Sequence, residues 1–140
     1  MDVRELRLVI TVDDYEQALV FYRDVLGLAE QAAYEAPNGG RVTLLDAGRA
    51  TLELADVAQA GYIDEVEVGR RVAGPVRVAF EVTDATGATR RLAAGGAAVI
   101  AEPTVTPWNS LNARLTAPDG TQLTLFEELG GSQNCRGSVF

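Results

Sequence analysis

The amino-acid sequence predicts an α+β domain built from two βαβββ units in tandem. Three observations carry this. Short alternating stretches are rich in β-branched residues, and an aspartate stands ready to cap a helix after the first of them. Both features return 70 residues later, Arg77 after Arg7 and Asp84 after Asp14, and self-similarity at a fixed spacing marks a repeated fold unit. A length of 140 residues suits about one domain.

Residues 6–12 alternate as a strand, with Leu8, Ile10 and Val12 on one face and Arg7, Val9 and Thr11 on the other. Asp14 caps a helix that the spacing of Ala18, Leu19, Tyr22, Val25 and Leu26 carries to Leu26, where Gly27 ends it. Tyr22 and Tyr15 read as helix-packing and surface residues. Strands follow at 29–35, 41–46 and 50–55, the first two joined by the turn Pro37-Asn-Gly-Gly40. The crossover 57–75 holds one short helical or extended piece. Its acidic run at 64–67 reads as a solvated face, because it lacks the alternating ligand pattern of a calcium loop. The second unit repeats the first: a strand at 77–82, a helix at 85–94 behind Asp84, and strands at 98–102, 112–116 and 122–126. Module one is therefore 4–56 and module two 76–128, together one domain over 1–128. Residues 129–140, rich in glycine, serine and asparagine, read as a flexible tail carrying Cys135.

Composition removes several functions. Hydrophobic residues at 47% and charged residues at 23% suit a folded chain, and no apolar run reaches the roughly 18 residues of a membrane-spanning helix. A net charge of −8 opposes nucleic-acid or anionic-membrane partners. With no histidine, a Ser-His-Asp triad, a Cys-His pair and a histidine metal ligand are all impossible. The first residues show no apolar secretory stretch, and a single cysteine forms no internal disulfide, so a cytoplasmic location is expected.

Two segments resemble a known family. Asp14-Tyr-Glu-Gln-Ala-Leu-Val-Phe-Tyr-Arg-Asp-Val-Leu-Gly-Leu28 is similar to the D-x₃₋₆-A-x-x-F-Y-x-x-V-L-G-L signature of vicinal oxygen chelate proteins. Ala117-Pro-Asp-Gly-Thr-Gln-Leu-Thr-Leu-Phe-Glu127 resembles their closing D-P-D-G-N-x-x-x-L-x-E segment. That superfamily includes glyoxalase I, extradiol dioxygenases, fosfomycin-inactivating enzymes and bleomycin-binding resistance proteins. The resemblance implies that both modules curl into one mixed-sheet cup, commonly completed in a homodimer. Metal-dependent members place His or Gln on the first strand of each module and Glu on the last. Matching on Phe21-Tyr22 puts Arg7, Glu53, Arg77 and Thr124 at these four positions, and only Glu53 fits the pattern. A guanidinium stays protonated and has no lone pair to donate, so no metal and no cofactor are expected.

Strand parity turns Arg7, Val9, Thr11, Thr51, Glu53, Ala55, Arg77, Ala79, Glu81, Gln122, Thr124 and Phe126 toward the cup. Candidate ligand-binding residues are Arg7, Glu53, Arg77, Glu81, Trp108, Thr124 and Phe126; no catalytic residue is assigned. The arginines either pair with Glu53 and Glu81 or leave one guanidinium to take a carboxylate, phosphate or enolate oxygen. Trp108, just ahead of a strand, offers a stacking surface at the rim or closes a sheet edge. The expected function is binding of a small organic molecule without the metal site, as in the bleomycin-resistance-like sequestration that the resemblance implies, with the net charge of −8 favouring cationic ligands. One alternative is a metal-free lyase or isomerase with Glu53 or Glu81 as general base. That role needs a raised pKa, whereas adjacent arginines push it down. Another is a non-catalytic dimerisation or regulatory module, whose cup would be plugged by its own side chains.

Overall fold

The computed structural model describes residues 2–25 and 27–130; Cys135 and the rest of 131–140, with Leu26 and Met1, lie outside the described residues. The first unit contains β1 (Val3–Val12), α1 (Tyr15–Leu19), β2 (Ala29–Glu35), β3 (Arg41–Ala47) and β4 (Ala50–Asp56). A crossover helix α2 (Val57–Glu67) leads to the second unit: β5 (Val76–Val82), α3 (Ala85–Ala94), β6 (Ala98–Val105), β7 (Ser110–Thr116) and β8 (Gln122–Glu128). The eight strands form one curled, unclosed sheet in the order β2-β3-β4-β1-β5-β8-β7-β6. β1 runs parallel to β4 and β5 parallel to β8, while β1 and β5 meet antiparallel at the centre. The two repeats thus join edge to edge through their first strands.

The expected cap residues act alike in both units. Asp14 Oδ1 accepts from the Gln17 N–H and Asp84 Oδ1 from the Gly87 N–H, each at 3.0 Å, satisfying one orphan donor of each helix start. Beyond Leu19 the first helix differs from expectation. Its backbone widens into a π-helical turn over Val20–Val25. Over so few residues, either winding puts the same apolar side chains on the sheet, so spacing alone does not separate them.

The outer face of the sheet carries the helices α1 and α3. Tyr15 and Leu19 pack on Leu45, Leu52 and Leu54, while Ala85 and Ala88 pack on Val82, Leu115 and Leu125. Tyr15 is therefore core rather than surface, and its hydroxyl shares a hydrogen bond with Thr43.

The crossover departs most from the sequence reading. It is an 11-residue helix seated against the inner face of the sheet, with Gln59, Ala60, Ile63, Asp64 and Glu67 buried. Asp56 caps it by accepting from the Gln59 N–H at 2.8 Å, and Asn38 in the β2–β3 turn donates to the Ala58 carbonyl at 2.8 Å. Gly40 makes this approach possible: a Cβ there would stand 2.4 Å from Gln59 N. The run at 64–67 is thus no solvated face, since Asp64 and Glu67 find a buried cationic partner across the sheet.

Candidate ligand-binding cup

Register places the four positions singled out above on two adjoining rungs of the inner face. Leu44, Glu53, Val9 and Arg77 form one rung across β3, β4, β1 and β5. Arg7, Ala79, Thr124 and Arg114 form the other across β1, β5, β8 and β7. The repeat makes Arg7 the counterpart of Arg77, and Glu53 the counterpart of Thr124. Arg7, Glu53, Arg77, Trp108, Thr124 and Phe126 all border one cavity beneath α2, joined by Ile63 and Glu67 from the helix and Asn112 from β7. Glu81 does not border it. Its β5 position pairs with Glu5, one step further toward the end of the sheet than Ala79.

The charges are arranged differently from the simple pairing expected. Arg7 Nε donates to Glu5 Oε2 at 2.8 Å, an oxygen that also accepts from Thr51 Oγ1 at 2.6 Å. The guanidinium of Arg7 lies 4.9 Å over the Phe126 ring, a cation–π contact. Glu53 stands farther off, 3.9 Å from Arg7 Nη1, which makes no hydrogen bond. Arg77 donates from Nη1 to Thr124 Oγ1 at 2.6 Å, and its buried Nε finds no partner. Glu5, adjacent on the same strand face, has taken the role that Glu53 was expected to fill.

These surroundings shift the ionisable groups. Burial pushes the Glu53 carboxyl above its ordinary value, and the pull of Arg77 and Arg7 does not reverse it. The arginines do pull it down, as expected, but neither makes close contact with that carboxylate, and burial outweighs them. Burial, with Arg114 nearby, likewise lowers the Arg77 guanidinium, against the pull of Glu67, Glu53 and Asp64.

Sequence reasoning missed the strongest charge in the cup. Arg114, fully buried on β7, donates from Nη1 to Asp64 Oδ1 at 2.8 Å and to Gln122 Oε1 at 2.7 Å, and from Nη2 to Glu67 Oε1 at 2.8 Å. Burial would lower its pKa, but Glu67 and Asp64 together hold it above the ordinary value. The signal was present, since strand parity puts Asn112, Arg114 and Thr116 on the face opposite Leu111, Ala113 and Leu115. Trp108, expected at the rim, is buried beside Tyr62 of α2, their rings 6.0 Å apart, in a cluster with Val42, Leu44, Ala55 and Ile63. Tyr34 and Tyr62 pack against that cluster and do not border the cavity.

With α2 in place the cavity holds about 20 Å³, room for a single water molecule. The crossover helix therefore stoppers the cup, the filling by its own side chains expected of a non-catalytic dimerisation or regulatory module. The donor set beneath it does not suit a divalent metal. Glu53, the Thr124 hydroxyl and a Glu67 already held by Arg114 and Asn112 are accompanied by two guanidiniums without lone pairs, and no group of three acidic or cysteine side chains gathers among the described residues.

Two βαβββ units on one curled sheet, with first and last strands of each lining the concavity, define a vicinal-oxygen-chelate type of fold. The family model described as "Glyoxalase/Bleomycin resistance protein/Dioxygenase superfamily" matches residues 6–125, and the chain belongs to that superfamily. No functionally curated protein matches the sequence. Among solved structures, a hypothetical protein from Bacillus halodurans C-125 is 18% identical, with 96% of this chain and 100% of that chain covered and a TM-score of 0.71. Methylmalonyl-CoA epimerase from Mycobacterium tuberculosis is 23% identical, covering 90% of this chain and 89% of that one, with a TM-score of 0.64. The Streptomyces coelicolor methylmalonyl-CoA epimerase in complex with 2-nitronate-propionyl-CoA is 19% identical, covering 91% and 99%, with a TM-score of 0.65. At these identities the likeness concerns the fold. Among the described residues no helix is long and apolar enough to cross a membrane.

Proposed function

We propose that residues 1–128 form a metal-free small-molecule-binding unit whose cup receives an oxygen anion of an organic ligand on Arg77 and Arg7. The observation that carries this is the buried Arg77 guanidinium, which has one hydroxyl partner and an Nε without any, beside an Arg7 Nη1 in the same condition. A buried charge left short of partners is costly, and a carboxylate or enolate oxygen would relieve it. α2 must shift for such a ligand to enter, so sequestration is coupled to opening of the stopper. A homodimer, a cytoplasmic location and the absence of a nucleic-acid partner belong to the same proposal.

Isothermal titration tests it. Small mono- and dicarboxylates should give heat with the wild type, and Arg77→Met should weaken their binding by about tenfold or more. Cationic glycopeptides should give none, although the net charge of −8 would attract them. Absence of heat with every carboxylate would remove the proposal.

A second reading, a metal-free isomerase or lyase, is favoured by one observation: the Glu53 carboxylate is buried at the cavity without a close arginine contact, and burial raises its carboxyl above the ordinary value. Proton exchange at a carbon next to a ligand carbonyl, lost in Glu53→Gln while binding persists, would establish it.

A further inference from the structure

Glu67 is held in the way a bound carboxylate would be. Its Oε1 accepts from Arg114 Nη2 at 2.8 Å and its Oε2 from Asn112 Nδ2 at 2.7 Å. Arg114 and Asn112 stand two residues apart on the same face of β7, and both are buried. Together they make a two-pronged clamp built into the sheet, with a guanidinium for one oxygen and an amide for the other. Asn112 is fixed in turn, because its Oδ1 accepts from Ser110 Oγ at 2.6 Å.

The clamp's occupant comes from the crossover, not from the sheet. Asp64 is tied to its own segment, for its Oδ2 accepts from Arg71 and from the Val72 and Ala73 N–H groups. Glu67, the last residue of α2, has its hydrogen bonds to β7 alone. It also borders the cavity where Arg77 Nε lies without a partner. Arg114 thus has two carboxylates and keeps Asp64 if Glu67 leaves, whereas Arg77 has no carboxylate within ion-pair distance.

We infer that Arg114 and Asn112 are a second anion subsite, filled by Glu67 in the closed state, and that the ligand class is a small dianion such as a dicarboxylate. One end would sit on Arg77, and the other would replace Glu67 and release the end of α2. This rests on the cup being a ligand site, as proposed above.

Chemical rescue tests the subsite. Glu67→Ala leaves a carboxylate-sized gap facing Arg114 and Asn112. Acetate at about 100 mM should raise the melting temperature of that variant on the order of 4 °C above an equal concentration of chloride. The wild type and the Glu67→Ala/Arg114→Met double variant should rise clearly less, because acetate then has only Arg77 to bind. Failure of acetate to exceed chloride, or an equal rise in the double variant, overturns the subsite. Rescue without any carboxylate heat in the wild type keeps the clamp but overturns the dianion as ligand, and with it the function proposed above.

Should Glu67→Ala fail to fold, the wild type supplies the readout. Trp108, the single tryptophan, packs on Tyr62 of α2. Succinate should red-shift its emission and speed proteolytic cleavage within α2, whereas sodium chloride at equal ionic strength should do neither. Identical behaviour in the two salts overturns the inference.

Discussion

Asp64 of α2 and Arg114 of β7 meet across the cup at 2.8 Å, both side chains essentially sealed from water. Together with the bonds of Glu67 to Arg114 and Asn112, this pair fastens the crossover between the modules to the inner face of the second module. Arg114 keeps Glu67 when Asp64 is removed but loses one of its two buried carboxylates, so Asp64→Ala should lower the unfolding free energy by about 1–3 kcal/mol, read by urea denaturation.

The same carboxyl adds to the acid sensitivity of the fold. Burial pushes the Asp64 carboxyl up, but the Ala73 and Val72 N–H groups and Arg114 outweigh it and hold the carboxyl below its ordinary value of 3.8. A carboxyl lowered in the folded state contributes stability above its unfolded value and loses it as pH falls through its folded value. Urea midpoints measured down an acid series should therefore fall steeply in the wild type below about pH 4. In Asp64→Ala the fall should be shallower, because that proton is no longer taken up on unfolding.

Glu53 acts in the opposite sense. Its carboxyl is raised above 4.5 by burial, so the folded state holds the proton more tightly than the unfolded chain does. Stability tied to Glu53 is greatest at low pH and declines as pH rises from the unfolded value through the folded one. Glu53→Gln, which carries no titrating proton, should flatten the pH dependence of the melting temperature over that interval. An unchanged slope would place Glu53 in a more hydrated setting than its burial implies.

Two glycines on either side of the α2 contact should respond with opposite signs. A Cβ on Gly40 would meet the Gln59 backbone at 2.4–2.5 Å, so Gly40→Ala should cost about 1–3 kcal/mol by lifting the start of the helix. A Cβ on Gly61, inside α2, would meet nothing within 4 Å. There the alanine should stabilise by about 0.5–1 kcal/mol through its better helix propensity. Thermal denaturation of the two variants side by side checks both.

The architecture was largely legible in the sequence because its strands bury opposite kinds of side chain on opposite faces. Alternation at 6–12 and 77–82 placed Arg7 and Arg77 inward, and the spacing of 70 linked the two units. The plug was not legible. The face that α2 buries contains Gln59, Asp64 and Glu67 beside only Ala60 and Ile63, so it lacks the apolar stripe by which a packed helix is recognised. Its burial depends on a partner 50 residues away, Arg114, which no local pattern joins to Asp64. Pairing was misjudged for a related reason. Parity puts Glu5, Glu53 and Glu81 all on the inner face, and only the three-dimensional arrangement selects Glu5 for Arg7.

The family resemblance puts Arg7 and Arg77 at positions where metal-dependent members would present electron-pair donors, and the proposed use of the cup rests on that replacement. Elemental analysis of the protein purified without chelators, followed by zinc titration, puts this to the test. Less than about 0.1 equivalent of any transition metal, and no zinc binding that depends on Glu53, is the predicted result. One tightly held metal ion per chain, lost in Glu53→Gln, would contradict it.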